Sequence, residues 1–562
     1  MSWIFGLIAN SDLIDDKYRK LKQSLPSNHK VIRTSHYLIF INDDINVYYS
    51  EEQKYIIRGL GFVKKNNEYH QMDYTDWENY CKNMSEKNIA GQYLRIVWND
   101  KQISFSNDFF GLNTIYLFKD KDVIYFSTRL DYLSKFINTP KLNINAFAGR
   151  WLLFNQLTNE ALIENVIKLE PNSVIRVIDN QITSSINEES LNDFVIEEPF
   201  INKLQRFSQV KSNSDFCISL GLSGGIDSRV LLECFLNSKI DFKLHSFGKV
   251  DDADVLISSQ ISRSLNLEHH ILDYNIQPDL SQLTEFIYLN EFVDTISTYL
   301  LTSGIHSDYF KNKILVDGAG GELFRRQFFN RLIYFGKKSY HDKNPEALMK
   351  YFMHYRADIF NDEVTLEIQK SALNQISSAL EIIKNVDLEN FADTITALTR
   401  FPNYYGPEQN RLNTHIQSYM PFVNKELYSI LPKIPLRDRR NNRMFYEFLR
   451  ISKNRLSSFA LVKDGVTYPF GLSSQSAYLI TMVKRKLFKI KRNRLTDDFY
   501  LKNKSMVLEI LESDIIRSNE LYDHRKIQAI IQNAYTGKHF NFNQLDWLFS
   551  FELFRREMDL NC

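Results

Sequence analysis

Between residues 37 and 127 apolar residues recur in short runs. "YLIFI" (37–41), "YLRIVW" (93–98), "QISFS" (102–106), "TIYLF" (114–118) and "VIYFS" (123–127) are separated by turns of Asn, Asp, Lys and Gly. Runs of this length and spacing predict strands and a β-rich first region. "NAFAGRWLLFNQL" (145–157) predicts a helix and "SVIRVI" (173–178) a further strand. Near residue 195 the pattern changes. "DFCISLGL" (215–222) is a continuous apolar run of the kind a parallel sheet buries on both faces. "SRVLLECFLNS" (228–238) places Val230, Leu231, Cys234 and Phe235 on one helical face. "DFKLHSFG" (241–248), "DADVLISSQISRSLNL" (252–267) and "EHHIL" (268–272) predict strand, helix and strand. A β-α-β-α-β series predicts a parallel sheet with helices on its faces. From about residue 320 onward helical patterns dominate, with no internal repeat.

Composition narrows the class. A chain of 562 residues is too long for one core, and 44% hydrophobic with 24% charged residues is ordinary for a folded protein. No run approaches the length of a membrane helix. The opening "MSWIFGLIAN" is too short for a signal peptide's apolar stretch and has no basic residues before it, so a cytoplasmic protein without a membrane partner is expected. Cys81, Cys217, Cys234 and Cys562 are scattered and suggest neither a zinc site nor a disulfide framework. A formal net charge of +1 gives no general attraction to nucleic acid, and none is expected as a partner. The local exception is "KRKLFKIKRNR" (484–494), which suits an acidic peptide or polyanion, or is a solvated charged face.

The strongest chemical signal is "LGLSGGIDSRVLL". A buried strand ends at Leu222, then Ser223, Gly224, Gly225, Ile226, Asp227 and Ser228 lead into a helix. The glycines let backbone N–H groups approach a ligand, and the helix N-terminus adds unpaired donors, so the loop suits phosphate. Asp227 in such a loop makes sense if it holds Mg²⁺ bridging to phosphates. The Walker A lysine is missing. The plain alternative is a tight strand–helix turn with Ser228 as the cap.

This stretch resembles the PP-loop of ATP pyrophosphatases, which cleave ATP between the α- and β-phosphates. Further segments are similar to the asparagine synthetase superfamily, in order and spacing from residue 1 to about 471. "MSWIFG" resembles the opening M-C-G-I-F-G, and "NDFFGLNTIYLF" (107–118), "IYFSTRLDYL" (124–133) and "IKLEPNSVIRV" (167–177) resemble the glutaminase-like domain. "DGAGGELF" (317–324) resembles G-E-G-S-D-E-L-F, "MPFVNKEL" (420–427) resembles V-P-F-L-D-K-E-F, and "LVKDGVTYPFG" (461–471) resembles the late stretch with a catalytic lysine. The resemblance implies an N-terminal Ntn-type β-sandwich domain (1–195), then an α/β PP-loop domain with a helical C-terminal part (196–562).

It also implies a two-step reaction with ATP and Mg²⁺ as cofactors. A carboxylate attacks the α-phosphate, pyrophosphate leaves, and an amine displaces AMP from the acyl-adenylate. The implied ATP-binding residues are Leu222, Ser223, Gly224, Gly225, Asp227, Ser228, Phe247, Gly248 and Gly318. Asp227 and Lys463 are the implied catalytic residues. The second acidic metal ligand is Glu322 when aligned from Gly318, whereas alignment from "ELF" puts Gly321 there; Asp317 is a nearby substitute.

Departures from the family pattern bear on the substrate. Ser2 stands where the glutaminase has its cysteine nucleophile, and Asn107 replaces the Arg of R-D-P-F-G. The R-G-P-D and N-G-E-I-Y-N segments that hold glutamine have no clear counterpart; "YIIRGLGFV" (55–63) is nearest. The first domain therefore reads as a scaffold, with a Ser2-dependent glutaminase as the minor alternative. A retained domain without its nucleophile resembles β-lactam synthetase and the lasso-peptide macrolactam cyclases, whose substrates supply their own amine. Gln417, Ser418, Tyr419 and Asn424 replace family residues where the substrate should sit, which argues against free aspartate. β-Lactam synthetase uses a Tyr–Glu pair on the amine; Glu408, His415 and Tyr419 are weak candidates.

The expected activity is an AMP-forming amide synthetase, plausibly closing a lactam or macrolactam within a peptide or small molecule. A leader-processing protein would be a partner for a peptide cyclase. The alternatives are an ammonia- or glutamine-dependent amidotransferase acting on an amino acid or carboxylated sugar, a tRNA-modifying enzyme, and an inactive binding homologue.

Overall fold

The structure, a computed structural model, describes residues 2–42, 46–66, 68–83, 89–186, 198–213, 216–238, 240–274, 277–306, 308–326, 328–488, 494–536 and 542–560. The molecule is mixed α/β and includes a parallel sheet. Its N-terminal part holds two sheets packed face to face. The first, of six antiparallel strands, runs in the order Val166–Lys168, Tyr116–Asp120, Val123–Ser127, Trp3–Ile8, Tyr37–Asn42, Lys30–Arg33. The second centres on the long strands Tyr55–Lys65 and Ile89–Trp98, paired antiparallel. Ile4, Ile39, Ile41 and Phe126 of the first sheet meet Ile56, Leu94, Ile96 and Phe105 of the second in one apolar layer.

Strand Trp3–Ile8 is buried at all six positions because both of its faces are covered. Side chains alternate along a strand. Ile4 and Ile8 enter the layer between the sheets, while Trp3, Phe5 and Leu7 enter a core shared with helices. That core includes helices Ile144–Leu152, Leu280–Leu289, Asp362–Ile382 and Asn543–Glu557, with Phe147 and Phe551 5.0 Å apart. The C-terminal helices therefore pack on the first sheet. The expected boundary between 195 and 196 lies outside the described residues.

All strands anticipated between 37 and 178 are present. Helix Ser11–Ser24 precedes them and helix Tyr74–Asn83 interrupts them, both built on sparse apolar positions among charges. The helix expected over 145–157 stops at Leu152 for tertiary reasons. The Phe154 N–H donates to Phe352 O at 2.7 Å and the Leu157 N–H to Gln375 Oε1 at 2.8 Å.

The second part holds a five-stranded parallel sheet in the order His269–Leu272, Phe242–Phe247, Cys217–Gly221, Lys313–Val316, Gln417–Tyr419. Both faces are covered: Leu220, Leu244, Ile314 and Val316 pack with helices Ile226–Leu236 and Ala253–Ser264, and Leu315 packs with Ile305, Leu412 and Ile416. No helix among the described residues is long and apolar enough to cross a membrane.

Candidate active site

The parallel sheet starts in its middle. From Cys217–Gly221 the chain adds strands on one side, then returns to add Lys313–Val316 and Gln417–Tyr419 on the other. Open parallel sheets bind ligands at the carboxyl ends of strands where this order reverses. The two loops at that place are 222–225 and 317–320, and the second packs on the first turn of helix Ile226–Leu236. A Cβ on Gly321 would fall 2.7 Å from Asp227 Oδ1, so only backbone fits against the Asp227 carboxylate there. Of the two residues considered for the second acidic position, Gly321 lies against Asp227 and Glu322 follows it with a carboxylate bonded by Tyr405.

The first loop is held by its own polar groups. The Leu222 N–H donates to His245 O at 2.8 Å, Ser223 N–H to Ser228 Oγ at 3.2 Å, and Gly225 N–H to Ser223 Oγ at 3.1 Å. The Gly224 N–H donates to Asp254 Oδ1 at 2.8 Å. Gly225, not Ser228, is the N-cap of helix Ile226–Leu236; Ser228 lies inside its first turn and ties back to the loop. Ser223 is exposed and Gly225 half-exposed. At the end of the neighbouring strand, the Phe247 ring stacks 6.2 Å from Phe310 and the Gly248 N–H donates to Leu272 O at 3.0 Å.

The carboxylates converge below the loop. Asp227 is gripped by Arg325, whose Nε donates to Oδ1 at 2.7 Å and Nη2 to Oδ2 at 2.6 Å. Burial works against both charges. The Asp227 carboxylate nevertheless holds the Arg325 guanidinium above its usual range, so the cation persists. Tyr405 Oη donates to Glu322 Oε2 at 3.3 Å. Asp317 accepts the Ala319 N–H at 2.8 Å, and burial pushes its carboxyl up to about 6. Burial also raises Asp294 to about 6, while Tyr404 Oη donates to it at 3.2 and 3.1 Å. Tyr404 and Tyr405 end a π-helical segment, Thr396–Tyr405. The loop after strand Gln102–Asn107 buttresses that segment, with Phe110 4.9 Å from Phe401. Asp108 organises this loop by accepting N–H bonds from Phe110, Leu112 and Asn113.

Lys463 arrives from the far side on a hairpin, Leu461–Lys463 with Val466–Tyr468. Asp464 and Gly465 turn with φ of 49° and 73°, the two positive values a tight hairpin requires. The Val462 N–H donates to Gly224 O at 2.9 Å, and a Cβ on Gly224 would lie 2.1 Å from Val462 Cγ2. Gly224 is therefore glycine because the lysine hairpin rests on it. Buried Arg229 fixes the approach by donating to Phe459 O at 2.8 Å, Leu456 O at 3.3 Å, Gly224 O at 3.2 Å and Ala460 O.

The remaining candidates lie elsewhere. Tyr419 is in the core, with its Oη donating to Phe207 O at 3.0 Å. Glu408 is paired with Arg411, and His415 stands 3.5 Å from Glu285 beside a pocket lined by Gln282, Phe286 and Leu289. Ser2 is fully buried. Its N–H donates to Thr414 O at 2.9 Å and its Oγ accepts the Asn46 N–H at 3.3 Å. Asn46 Nδ2 continues to Asn413 O and Ile416 O, and Arg58 to Asn410 O and Thr414 Oγ1, so helix Gly406–His415 covers the position. The basic stretch 484–494 begins in helix Ser474–Leu487, and its residues 489–493 lie outside the described residues.

The sequence reading missed Arg229, Asp254, Arg325 and Tyr405. Arg229 follows "SGGIDS" directly and Arg325 follows "GELF", so adjacency to the two loops was the available signal. Among the described residues no three His, Cys, Asp or Glu side chains form a metal-holding group. Asp227 and Glu322 still fit Mg²⁺, which takes one or two carboxylates and completes its shell with water and phosphate oxygens.

No family model matches the chain, and no curated protein matches it in sequence. Among solved structures, one similar chain is glutamine phosphoribosylpyrophosphate amidotransferase from B. subtilis complexed with ADP and GMP, at 9% identity over 58% of this chain and 77% of that one, with a TM-score of 0.20. Another is an allosteric regulatory enzyme of purine biosynthesis, at 10% identity over 67% and 86%, with a TM-score of 0.18. Likenesses this slight carry no argument about the present chain.

Proposed function

We propose that the protein is an ATP-dependent, AMP-forming amide-bond synthetase. In this reading the N-terminal pair of sheets is an Ntn-type scaffold without glutaminase activity, and the parallel sheet with its loops is a PP-loop ATP site. The observation that carries the reading is the convergence at the strand-order reversal: the Ser223–Gly225 loop with Ser223 exposed, the Asp227 and Glu322 carboxylates, and the Lys463 hairpin seated on the buried Gly224. Nucleotide phosphates would lie against the loop and the N-terminus of helix Ile226–Leu236. Asp227 and Glu322 would hold Mg²⁺, which supplies charge neutralisation of the departing pyrophosphate. A substrate carboxylate oxygen bonds to the α-phosphorus as the bond to pyrophosphate breaks. An amine then attacks the acyl carbon, loses a proton, and AMP departs. Lys463, on the hairpin that rests on Gly224, would stabilise the charge that develops in both steps. The Tyr404–Asp294 couple, a hydroxyl bonded to a buried carboxylate, would orient the amine and take its proton.

The buried Ser2 supports delivery of the amine by the substrate itself, as in lactam or macrolactam formation. The test is pyrophosphate release from ATP and Mg²⁺ in the presence of a panel of amine-bearing carboxylates and peptides. Release of pyrophosphate with AMP supports the reading, whereas cleavage to ADP and phosphate sinks it.

A further inference from the structure

Helix Ser474–Leu487 turns the wrong way for an amphipathic surface helix. Ala477 and Thr481 face the protein, and Lys484 Nζ donates to Thr467 O at 2.8 Å, fastening the helix to the Lys463 hairpin. The opposite face is apolar and open. Tyr478, Leu479, Met482, Val483, Leu487 and the adjoining Phe488 are between 49% and 71% exposed. The spacing 478/482 and 479/483/487 stacks five of them on consecutive turns of one face. Lys486 stands among them and Arg485 beside them, and the helix carries no acidic residue. Contiguous apolar surface of this kind marks an interaction site.

We propose that this face is a docking surface for an anionic lipid bilayer. The helix would lie flat, with its apolar side chains in the headgroup–acyl boundary. Two features favour lipid over a protein partner. The surface is a convex helix bearing side chains of unlike shape, which a fluid phase accommodates without a matched groove. Lys486 lies within the apolar stripe: in a dry protein contact it would need a buried carboxylate, whereas at a bilayer its stem lies in the apolar layer and its ammonium reaches the headgroups. The positive charge of Lys486, on a helix with no acidic residue, selects anionic lipid. Such docking is peripheral, so it agrees with the lack of a spanning helix among the described residues. It does not depend on the synthetase reading. It would place a membrane beside the candidate active site, because the same helix braces the hairpin that carries Lys463.

The test is co-sedimentation of the full-length protein with phosphatidylcholine vesicles, with and without phosphatidylglycerol. Binding is expected to the mixed vesicles and to weaken as salt rises. Leu479→Gln with Val483→Gln and Leu487→Gln should cut partitioning by at least about tenfold. Its circular dichroism and melting should match wild type, since the replaced side chains are exposed. Lys486→Glu should weaken binding to the mixed vesicles as well and does not depend on how the triple variant folds. Absence of binding to the mixed vesicles, or binding that neither variant reduces, overturns the proposal. A dimer in sedimentation velocity that the triple variant dissociates assigns the face to a second copy instead. Capture of an acidic helical peptide without vesicle binding assigns it to a protein partner. Either outcome overturns the lipid reading.

Discussion

Two strand ends in this molecule carry a serine and both looked chemical in sequence, yet the fold treats them oppositely. Ser2 precedes a strand buried on both faces, and its N–H and hydroxyl are both bonded to the chain. Helix Gly406–His415 lies across it, with Arg58 reaching from the second sheet into that helix. Ser223 also follows a buried strand, but its loop stays open to solvent and is bordered by carboxylates and a lysine hairpin. The difference lies in what covers each strand end. The N–H groups of Ser223, Gly224 and Gly225 are bonded as well, but to Ser228, Asp254 and Ser223, within the loop and its flanking helices, and Ser223 itself stays exposed. At residue 2 the N–H and hydroxyl are used to join the two parts of the molecule.

The largest expected effect tests the open end. Asp227→Ala should reduce pyrophosphate release by at least about a thousandfold, because its carboxylate lies against Gly318 and Gly321 and its loss would leave Glu322 as the single remaining member of the proposed metal-holding pair. Full activity in that variant would break the contrast, since the open loop would then have no cation to place. The next effect concerns Arg325. Its guanidinium occupies both oxygens that a metal would use, so Mg²⁺ must compete with it. Arg325→Met should lower the Mg²⁺ concentration needed for nucleotide binding by about tenfold. Calorimetric titration of Mg²⁺ in the presence of ATP reads this directly. An unchanged Mg²⁺ requirement would make Arg325 a structural bystander.

Asp294 tests whether the carboxylates beside the open site are held in a costly state. Burial raises its carboxyl to about 6, above the ordinary value near 4. The folded form therefore favours the proton. Its stabilising contribution is complete below about pH 4 and is lost as pH rises through about 6. The rise from near 4 to about 6 corresponds to on the order of 3 kcal/mol. Urea unfolding of wild type and Asp294→Asn at about pH 4 and about pH 7.5 should show the variant with the flatter dependence. Parallel pH dependences would remove Asp294 from the set of strained groups.

These sites were unequally legible in the chain. "SGGIDS" could be read because a strand–loop–helix turn makes its demands within six adjacent residues. The parallel sheet could be read for the same reason, since each strand and helix has its own local periodicity. "DGAGGELF" left Gly321 and Glu322 in competition: Gly321 is the residue packed against Asp227, and Glu322 is the one that bears a carboxylate. Arg325 lies 98 positions from Asp227, so nothing local announces the pair. Tyr405 was hidden differently: a π-helical segment shifts side chains off the 3.6-residue repeat on which helix reading depends. The docking of helix Asn543–Glu557 on the first sheet was illegible because that helix is buried almost all round and shows no single apolar stripe.

The smallest effect probes the closed end, and its smallness is the point. Ser2→Ala removes one acceptor from the Asn46 N–H, a bond of 3.3 Å, and leaves the Ser2 backbone N–H on Thr414 O. The expected cost is about 1 kcal/mol of stability, the usual net value of one such bond. Urea unfolding measures it, and amide formation from the substrate's own amine should be unchanged in the same preparation. Glutamine-supported turnover that Ser2→Ala abolishes would reverse the comparison, because helix Gly406–His415 would then have to move aside to expose a hydroxyl that the fold keeps covered. A serine that serves only as an interface residue predicts the opposite ordering, with larger stability losses from Asn46→Ala and Arg58→Met than from Ser2→Ala, since those side chains carry most of the bonds across the contact.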